Sequence, residues 1–274
     1  MAFHNGAGEL IGYDVDMAHD LGKTLGVKVT FIITSWPTLS TDLKADKFDI
    51  AMGGVTETAA RAKDFSLSHP LVANGKIALA NCSAAPALGS LEKIDQPNVK
   101  VIVNPGGTNQ SFVDEHIKHA QIIRVQNNVD NLQALRQKTA DMMVTDLIEG
   151  DYYQSKEPGV FCVANETPFP GTASYKVYMM NKDNPALLEK VNHWLDSQDK
   201  NVLKRKWKIH DSRCRQNATF WRRSGLAFLP RLIAEVAVVA NRGGQAKHVA
   251  ERLATLFNGV FHHPRVVLIE YGIP

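Results

Sequence analysis

Two glycine-containing loops of the sequence carry hydroxyl or basic side chains that could bind a carboxylate. The first loop is Gly53-Gly54-Val55-Thr56, which follows a short apolar segment, and Arg61 lies a few residues further on. Backbone N–H groups, a hydroxyl and the planar guanidinium fork together suit the two oxygens of a carboxylate. The alternative is that Arg61 is a surface residue after an ordinary turn between a strand and a helix.

The second loop is Asn104-Pro105-Gly106-Gly107-Thr108-Asn109, which lies between a predicted strand and a predicted helix. Backbone amides without partners and the helix dipole favour an anion at such a position. Gly107 and Thr108 could instead form only a tight turn and a helix cap. Two loops of this kind on separate parts of the chain indicate that the ligand is a dicarboxylate or an amino acid.

Two acidic residues follow the predicted strand at residues 141–145. Asp146 ends this strand, and Glu149 lies three residues later, on the same side if a helix begins there. One carboxylate at the edge of a cleft can bind an ammonium group, whereas two close together raise the pKa of one of them. A carboxyl group that stays protonated near neutral pH can act as a general acid. The alternative is that Glu149 only stabilises a helix N-terminus.

The elements that position these residues alternate between helices and short apolar strands. In the first helix, apolar residues fall at helical spacing from Gly12 to Leu25, and Gly26 supplies a stop. Such alternation predicts α/β lobes with mostly parallel sheets. The further predicted elements are strands at 27–33, 47–52, 99–103, 122–125, 141–145 and 175–180, and helices at 35–43, 109–119, 131–140, 185–196 and 200–208.

Extended segments around residues 75–82 and 169–178 connect the two α/β runs. They predict that the chain leaves a first lobe, builds a second lobe and returns to the first. We expect residues 1–80 with 170–210 to form lobe 1, and residues 81–169 to form lobe 2. Because ligands of open α/β sheets bind at the carboxyl ends of the strands, the loops of both lobes should surround one cleft.

The composition excludes several classes of protein. The chain has 274 residues, of which 44% are hydrophobic and 22% charged, as in an ordinary globular protein. It contains no apolar stretch of membrane-spanning length, and its opening residues lack the pattern of a signal peptide. Three cysteines without a C-x-x-C pair make structural zinc and thioredoxin chemistry improbable. Cys82 and Cys162 lie near the predicted crossings between lobes and are expected to pair, leaving Cys214 free.

Residues 211–274 differ from the rest of the chain in their basic residues. They hold 1 Lys and 8 Arg, against 18 Lys and 4 Arg in residues 1–210, and their net charge is +5 rather than −2. We interpret them as a tail of separate origin that does not contribute to the cleft and whose removal is harmless. Helices at 226–240 and 245–256 and a strand at 266–271 are predicted within it. Trp221, Arg222 and Arg223 could suggest nucleic acid or lipid binding, but a fused or frame-shifted tail is the favoured interpretation, and no nucleic-acid partner is predicted.

Residues 8–210 resemble the family of periplasmic solute-binding proteins for polar amino acids. The match rests on Gly8–Ala18, Phe48-Asp49, Gly54-Val55-Thr56 and Arg61. Within this family the chain most resembles the cyclohexadienyl dehydratase branch, whose members convert prephenate or arogenate into phenylpyruvate or phenylalanine. The segments that carry this closer resemblance are Thr34–Leu39, Phe48–Met52, Ile94–Pro97, Ile102–Asn109 and Met142–Glu149.

The resemblance implies a two-lobed, type II periplasmic-binding-protein fold, a periplasmic location, and no metal or cofactor. It implies that Glu149 is the general acid that protonates the departing ring hydroxyl. Asp146 would match the position that binds an amino group in the binding-protein relatives. In the alternative function, a non-enzymatic amino-acid-binding protein, the partner would be a membrane transporter of the ABC class; the sequence does not indicate an oligomeric state. The implied substrate-binding residues are Trp36, Gly54, Thr56, Arg61, Gly107, Thr108, Asn109, Asp146 and Lys176.

The sequence also departs from the family pattern. Met1-Ala2-Phe3 corresponds to the end of the loop that follows the family's first strand, so lobe 1 is expected to lack a central strand. Leu67-Ser-His-Pro-Leu71 stands where relatives usually carry F-S-x-P-Y, and Gly53 replaces a Ser or Ala. A missing central strand would leave two strand edges unpaired inside a lobe. If the tail does contribute to the fold, residues 266–271 are the expected occupant of that position.

Overall fold

The computed structural model describes residues 1–197, 201–209 and 265–268. Cys214 and the helices predicted at 226–240 and 245–256 lie outside these residues. The strands are β1 Phe3–His4, β2 Leu10–Ile11, β3 Thr30–Ile33, β4 Ile50–Ala51, β5 Ser66–Leu67, β6 Val72–Asn74, β7 Lys76–Asn81, β8 Lys100–Val103, β9 Gln121–Arg124, β10 Met142–Asp146, β11 Phe161–Val163, β12 Ser174–Lys176, β13 Met179–Met180 and β14 Arg265–Leu268. The helices are α1 Tyr13–Leu25, α2 Leu39–Lys44, α3 Ala59–Asp64, α4 Leu91–Ile94, α5 Thr108–His116, α6 Asn128–Arg136, α7 Leu147–Lys156, α8 Pro185–Ser197 and α9 Asn201–Lys206.

Helix α1 ends as its sequence predicts. Gly26 adopts a left-handed conformation with φ of 68°, and its N–H bonds to the carbonyl oxygens of Gly22 and Lys23. A residue without Cβ adopts this conformation at little cost, which is why glycine favours helix C-termini. The buried side chains of the helix include Met17 and Leu21, which belong to the main apolar core.

Each lobe is built around a five-stranded sheet, which confirms the two-lobed α/β prediction. The second-lobe sheet has the order β11-β7-β10-β8-β9, with β10 parallel to β8 and β8 parallel to β9. Strand β7 runs antiparallel to both β10 and β11. The second-lobe sheet therefore mixes parallel and antiparallel strands, whereas mostly parallel sheets were predicted. The reason is that β7, which crosses from the first lobe, runs opposite to its neighbours in this sheet. Since β7 begins at Lys76, residues 76–80 belong to the second lobe and not to lobe 1 as predicted.

The first-lobe sheet contains a strand from the C-terminal segment. Its order is β3-β14-β4-β13-β5, and β14 runs parallel to β3 and to β4. The predicted tail strand thus lies between two strands that do not pair with each other. This corrects the expectation that residues 211–274 add nothing to the fold: the backbone of Arg265–Leu268 pairs with β3 along its whole length. Strand β13 runs antiparallel to β4 and β5.

Some predicted elements begin or end elsewhere. Helix α2 begins at Leu39 and not at residue 35, because Trp36 precedes a proline and Ser35–Thr38 form a hydrogen-bonded turn. Helix α6 begins three residues earlier than predicted, at Asn128, because the side chain of Asn127 caps it by accepting from the N–H of Asp130. The strand predicted at 175–180 is divided into β12, which pairs with β6, and β13.

A disulfide joins Cys82 to Cys162, as predicted, and links the end of β7 to β11. The crossing back to the first lobe runs through β12, which pairs with β6 in a small separate sheet. Together these elements place Lys76, at the start of β7, and Lys176, at the end of β12, near the boundary between the lobes. Among the described helices, none combines the length and apolar character needed to cross a membrane.

Candidate functional site

The two lobes meet where Trp36 and Pro37 of the first pack on Gly106 and Gly107 of the second. Both glycines have positive φ, 75° and 89°. A Cβ on Gly106 would lie 2.5 Å from the backbone nitrogen of Pro37, and one on Gly107 would lie 3.5 Å from the Trp36 ring. Gly106 therefore allows a close backbone approach that any side chain would prevent. The structure shows a closed cleft.

An inner cavity of about 10 Å³ lies beside this contact. A volume of this size holds about one water molecule, so a ring-sized ligand cannot occupy the closed cleft. The lining comes from loops of both lobes, as expected for a ligand site between opposed α/β sheets. The lining residues are Trp36, Thr56, Asn104, Gly106, Gly107, Thr108, Asn109 and Asp146.

The carboxylate of Asp146 lies at the end of β10 and accepts hydrogen bonds from three side chains. Lys76 Nζ lies 2.8 Å from Oδ1, Lys176 Nζ lies 2.5 Å from Oδ2, and Asn74 Nδ2 lies 2.8 Å from Oδ1. Burial raises the pKa of Asp146, but the charges and hydrogen bonds of Lys176 and Lys76 outweigh it and hold the pKa well below its usual range. Asp146 is therefore a buried anion between two ammonium groups.

The two lysines connect this anion to the two predicted anion loops. Lys176 Nζ also donates to the carbonyl of Gly54, at 2.8 Å, and to the hydroxyl of Thr56, at 2.7 Å. Lys76 Nζ donates to Thr108 Oγ1 at 2.7 Å and to Asn109 Oδ1 at 2.5 Å. Burial lowers the pKa of Lys176 to about 8, although the charge of Asp146 acts in the opposite direction. The Lys76–Asp146–Lys176 cluster thus joins one loop from each lobe.

Arg61 lies beside this cluster in the first turn of α3, which Thr58 caps. Its Nη1 donates to the carbonyl oxygen of Thr56 at 2.7 Å, and the guanidinium lies 5.7 Å from the centroid of the Trp36 ring. These contacts hold the cation against the aromatic wall of the cleft. Arg61 does not line the inner cavity in the closed cleft.

Glu149 lies in the first turn of α7 and is almost completely buried. Its Oε2 accepts a hydrogen bond from the hydroxyl of Thr145, whereas Oε1 has no hydrogen-bond partner among the described residues. Burial raises the pKa of Glu149 to about 7, and the charge of Asp146 adds to this, while the Thr145 hydrogen bond and both lysines oppose it. Glu149 therefore carries a proton through much of the range below neutral pH. It is not among the residues that line the inner cavity.

Comparison with known proteins places this arrangement in a family. The model of family 3 of the bacterial extracellular solute-binding proteins matches residues 1–209. The chain belongs to this family. Cyclohexadienyl dehydratase from Pseudomonas aeruginosa is 36% identical over 203 residues, which cover 74% of this chain and 75% of that protein. A probable amino-acid ABC transporter-binding protein from Haemophilus influenzae is 23% identical and covers 71% of this chain and 73% of its own length.

Solved structures of the family agree with the fold. An ancestral amino acid-binding protein, described as a precursor of cyclohexadienyl dehydratase, superposes with a TM-score of 0.67 at 32% identity. The match covers 75% of this chain and 89% of that protein. The solute-binding family thus includes a named dehydratase and amino acid-binding proteins, and the site residues must distinguish them.

The structure of this family 3 chain brings most of the residues predicted from sequence to one place. Of the ten, six line the inner cavity: Trp36, Thr56, Gly107, Thr108, Asn109 and Asp146. Lys176 and Gly54 touch this set through hydrogen bonds, and Arg61 through Thr56 and Trp36. Glu149 is not among the lining residues, and the charge of Asp146 couples it to them.

Sequence reasoning missed Lys76, although its ammonium group bonds to Thr108, Asn109 and Asp146 of the second lobe. One signal was present, because Lys76 opens an otherwise apolar strand, Lys-Ile-Ala-Leu-Ala-Asn, all of which is buried. A lysine in such a strand needs a buried anion as partner. Asn104, whose loop was identified, was likewise not assigned a role. Among the described residues, no group of His, Cys, Asp and Glu side chains could hold a metal ion.

Proposed function

We propose that the protein is a cyclohexadienyl dehydratase-like lyase that acts on prephenate or arogenate in the periplasm. The observation that carries the proposal is Glu149, a buried carboxyl with a pKa raised to about 7 and one oxygen without a partner among the described residues. An amino-acid-binding protein needs an anion for the ammonium group of its ligand, but it has no use for a second, protonated carboxyl. General acid catalysis requires such a group.

In the proposed reaction two bonds of the ring substrate break. The bond between the ring and its carboxylate gives carbon dioxide, and its electron pair completes the aromatic ring. The bond between the ring and its hydroxyl oxygen breaks as Glu149 donates a proton, so that the hydroxyl leaves as water. In this proposal the proton is donated from Oε1, because Oε2 is bonded to Thr145 whereas Oε1 has no hydrogen-bond partner among the described residues.

The positive groups of the site orient the substrate carboxylates in this proposal. Arg61, Lys176 and Lys76 supply the charge, and the hydroxyls of Thr56 and Thr108 supply neutral donors, which the lysines hold in the closed cleft. Since the inner cavity holds about one water, the lobes separate before a substrate binds. Aromatisation supplies the driving force, so orientation and one acid, worth roughly 10²–10⁴-fold, suffice for the protein's part.

The second candidate is an amino-acid-binding protein of an ABC transporter, which the named relatives support. In that function Asp146 binds the ammonium group of the ligand and Arg61 its carboxylate. Against it stands the arrangement of Asp146, whose two carboxylate oxygens already accept from Lys76 and Lys176. A ligand ammonium group would therefore meet a carboxylate whose charge two lysine ammonium groups already compensate.

The test is to incubate the protein with prephenate and to follow the absorbance of phenylpyruvate. We expect turnover, and Glu149→Gln should lower kcat by roughly 10²–10⁴-fold with KM nearly unchanged. Glu115→Gln, at an exposed position of α5, makes the same chemical change and should leave kcat unaltered. A folded wild-type chain without turnover on prephenate or arogenate would contradict the enzyme proposal and favour the binding protein.

A further inference from the structure

The ammonium groups of Lys76 and Lys176 use their protons within the protein. An ammonium group has three N–H donors and no acceptor. Each of the two donates to three oxygen atoms, and these are Gly54 O, Thr56 Oγ1 and Asp146 Oδ2 for Lys176, and Thr108 Oγ1, Asn109 Oδ1 and Asp146 Oδ1 for Lys76. In the closed cleft the lysines therefore act on a ligand through their charge and through the groups that they hold.

These bonds fix the polarity of the groups that line the inner cavity. Thr56 and Thr108 each accept from a lysine, so each hydroxyl keeps its own proton to donate. The Asn109 atom that lies 2.5 Å from Lys76 Nζ is the amide oxygen, because an ammonium group cannot accept a hydrogen bond. The Nδ2 of Asn109 is then left as a donor. All three residues line the inner cavity, which therefore offers protons to a ligand.

Asp146 is the ionisable residue among the described residues that line this cavity. Its Oδ1 accepts from Lys76 and from Asn74, and its Oδ2 accepts from Lys176. The Lys76–Asp146–Lys176 cluster thus carries one more positive than negative charge. A ligand ammonium group would bring further donors and a further positive charge to this cluster, whereas a keto or carboxylate oxygen would accept from the donors of the lining.

The polarity of each half of the site does not depend on closure of the cleft. Lys76 and Asp146 lie opposite each other in the paired strands β7 and β10, and Thr108 begins α5 of the same lobe. The backbone of Lys176 pairs with that of Thr56 in the first lobe. When the lobes separate to admit a substrate, the bond between Lys176 and Asp146 breaks, but each lysine keeps the hydroxyl that it holds.

We propose that this site selects keto acids over amino acids, so that its substrate is prephenate and not arogenate, and that Lys76 and Lys176 determine this specificity. The proposal rests on the proposed function, because it chooses between the two substrates named there. The two compounds differ at one side-chain carbon, which carries a keto oxygen in prephenate and an ammonium group in arogenate. A site built to hydrogen-bond one group rejects an analogue that leaves its buried donors unpaired.

The test measures binding by calorimetry with two probes, phenylpyruvate and phenylalanine. These compounds differ in the same keto and ammonium groups as the two substrates, and their binding does not require turnover. We expect the wild type to bind phenylpyruvate about tenfold or more tightly than phenylalanine. The values of kcat/KM for prephenate and arogenate should differ in the same direction.

Two variants test the cause of this preference. Asn109→Asp keeps the oxygen that accepts from Lys76 and replaces the amide donor by an acceptor of similar size. Lys176→Met removes a positive charge and uncovers a carboxylate oxygen. Each should reduce the preference for phenylpyruvate about tenfold. Asn98→Asp and Lys93→Met make the same changes at exposed positions and should leave the preference unaltered.

The outcomes separate this inference from the proposed function. A preference for phenylpyruvate that Asn109→Asp reduces, in a chain without turnover, supports the selectivity and contradicts the enzyme. Equal kcat/KM for prephenate and arogenate supports the enzyme and overturns the selectivity. Equal affinity of the wild type for the two probes, no binding of phenylpyruvate, or a preference unchanged in Asn109→Asp also overturns it. If Lys176→Met does not fold, Asn109→Asp decides, because Asn109 is only half-buried and its replacement retains the bond to Lys76.

Discussion

The ammonium group of Lys176 lies 2.5 Å from Oδ2 of Asp146, and this contact crosses from the strand that re-enters the first lobe to the end of a second-lobe strand. Both side chains are buried, with exposed fractions of 3% and 6%. Removing two charges from water is costly, and Lys76 on the other carboxylate oxygen helps to compensate. The closed cleft is thus held by an ionic cluster in the position where a charged ligand would bind.

Lys176→Met should destabilise the protein by about 3 kcal/mol, because it leaves the buried Asp146 carboxylate with one ammonium partner where it had two. Urea denaturation followed by circular dichroism measures this change. Adding Asp146→Asn to the variant should recover part of the loss, since the uncompensated charge is then gone. Lys93→Met, at an exposed position, should alter the unfolding free energy by less than about 0.5 kcal/mol. Equal stability of Lys176→Met and the wild type would show that the contact between Lys176 and Asp146 contributes nothing to the unfolding free energy.

The raised pKa of Glu149 predicts a pH dependence of stability. The folded pKa is about 7, against a value of roughly 4.3 for an unfolded chain. Below about pH 4 the carboxyl is protonated in both states, and its contribution to the unfolding free energy is complete. This contribution is lost as the pH rises towards 7 and above, because the unfolded state releases the proton first. The unfolding free energy of Glu149→Gln, measured relative to that of the wild type, should therefore increase by roughly 3 kcal/mol as the pH rises from about 4 to 8.

Thermal unfolding at a series of pH values tests this difference. Glu115→Gln replaces an exposed carboxyl, and its plot of thermal midpoint against pH should run parallel to that of the wild type. If Glu149→Gln also runs parallel, the pKa of Glu149 is not raised in the folded state. A general-acid role near neutral pH would then lose its physical basis.

Gly106→Ala should prevent the lobes from closing. Its Cβ would lie 2.5 Å from the Pro37 nitrogen, a backbone atom that cannot move away as a flexible side chain would. Small-angle X-ray scattering should show a larger radius of gyration, and ligand affinity should fall. Gly171→Ala is a matched control because Gly171 has the same φ of 75° but nothing within 4 Å of its added Cβ. Similar effects in both variants would assign the change to backbone strain and not to the lobe contact.

The sequence predicts those features of the site that depend on neighbouring residues better than those that depend on contacts between residues far apart in the chain. Gly26 ends α1 as expected, because its effect depends on the conformation of one residue. The position of Asp146 also follows from its place at the end of an apolar strand. The role of Lys76 could not be read in this way, because its partners Thr108 and Asp146 lie 32 and 70 residues away. The place of β14 followed from the missing family strand, but only as an alternative to a dispensable tail, because its partner strands lie more than two hundred residues earlier in the chain.

The strand β14 leads to a prediction opposite to the one drawn from charge and composition. Its backbone pairs with β3 from Arg265↔Thr30 to Leu268↔Ile33, and with β4 at Val266↔Ile50 and Val267↔Ala51. Deleting residues 211–274 leaves the facing edges of β3 and β4 without these partners. Each buried backbone group that loses its hydrogen bond costs about 1–3 kcal/mol, so the deletion should lower the unfolding free energy by several kcal/mol.

A point substitution distinguishes pairing of the strand from a general effect of the long deletion. Val267→Pro removes a backbone N–H in a strand with a neighbour on each side, where proline is not tolerated, whereas Val267→Thr keeps the N–H and the β-branched shape. The proline variant should approach the deletion in its thermal midpoint, and the threonine variant should remain close to the wild type. A deletion variant as stable as the intact chain would restore the interpretation of residues 211–274 as a dispensable tail. The assignment of the lysine cluster at Asp146 does not depend on that result, because its hydrogen bonds among the described residues join Gly54, Thr56, Asn74, Thr108 and Asn109.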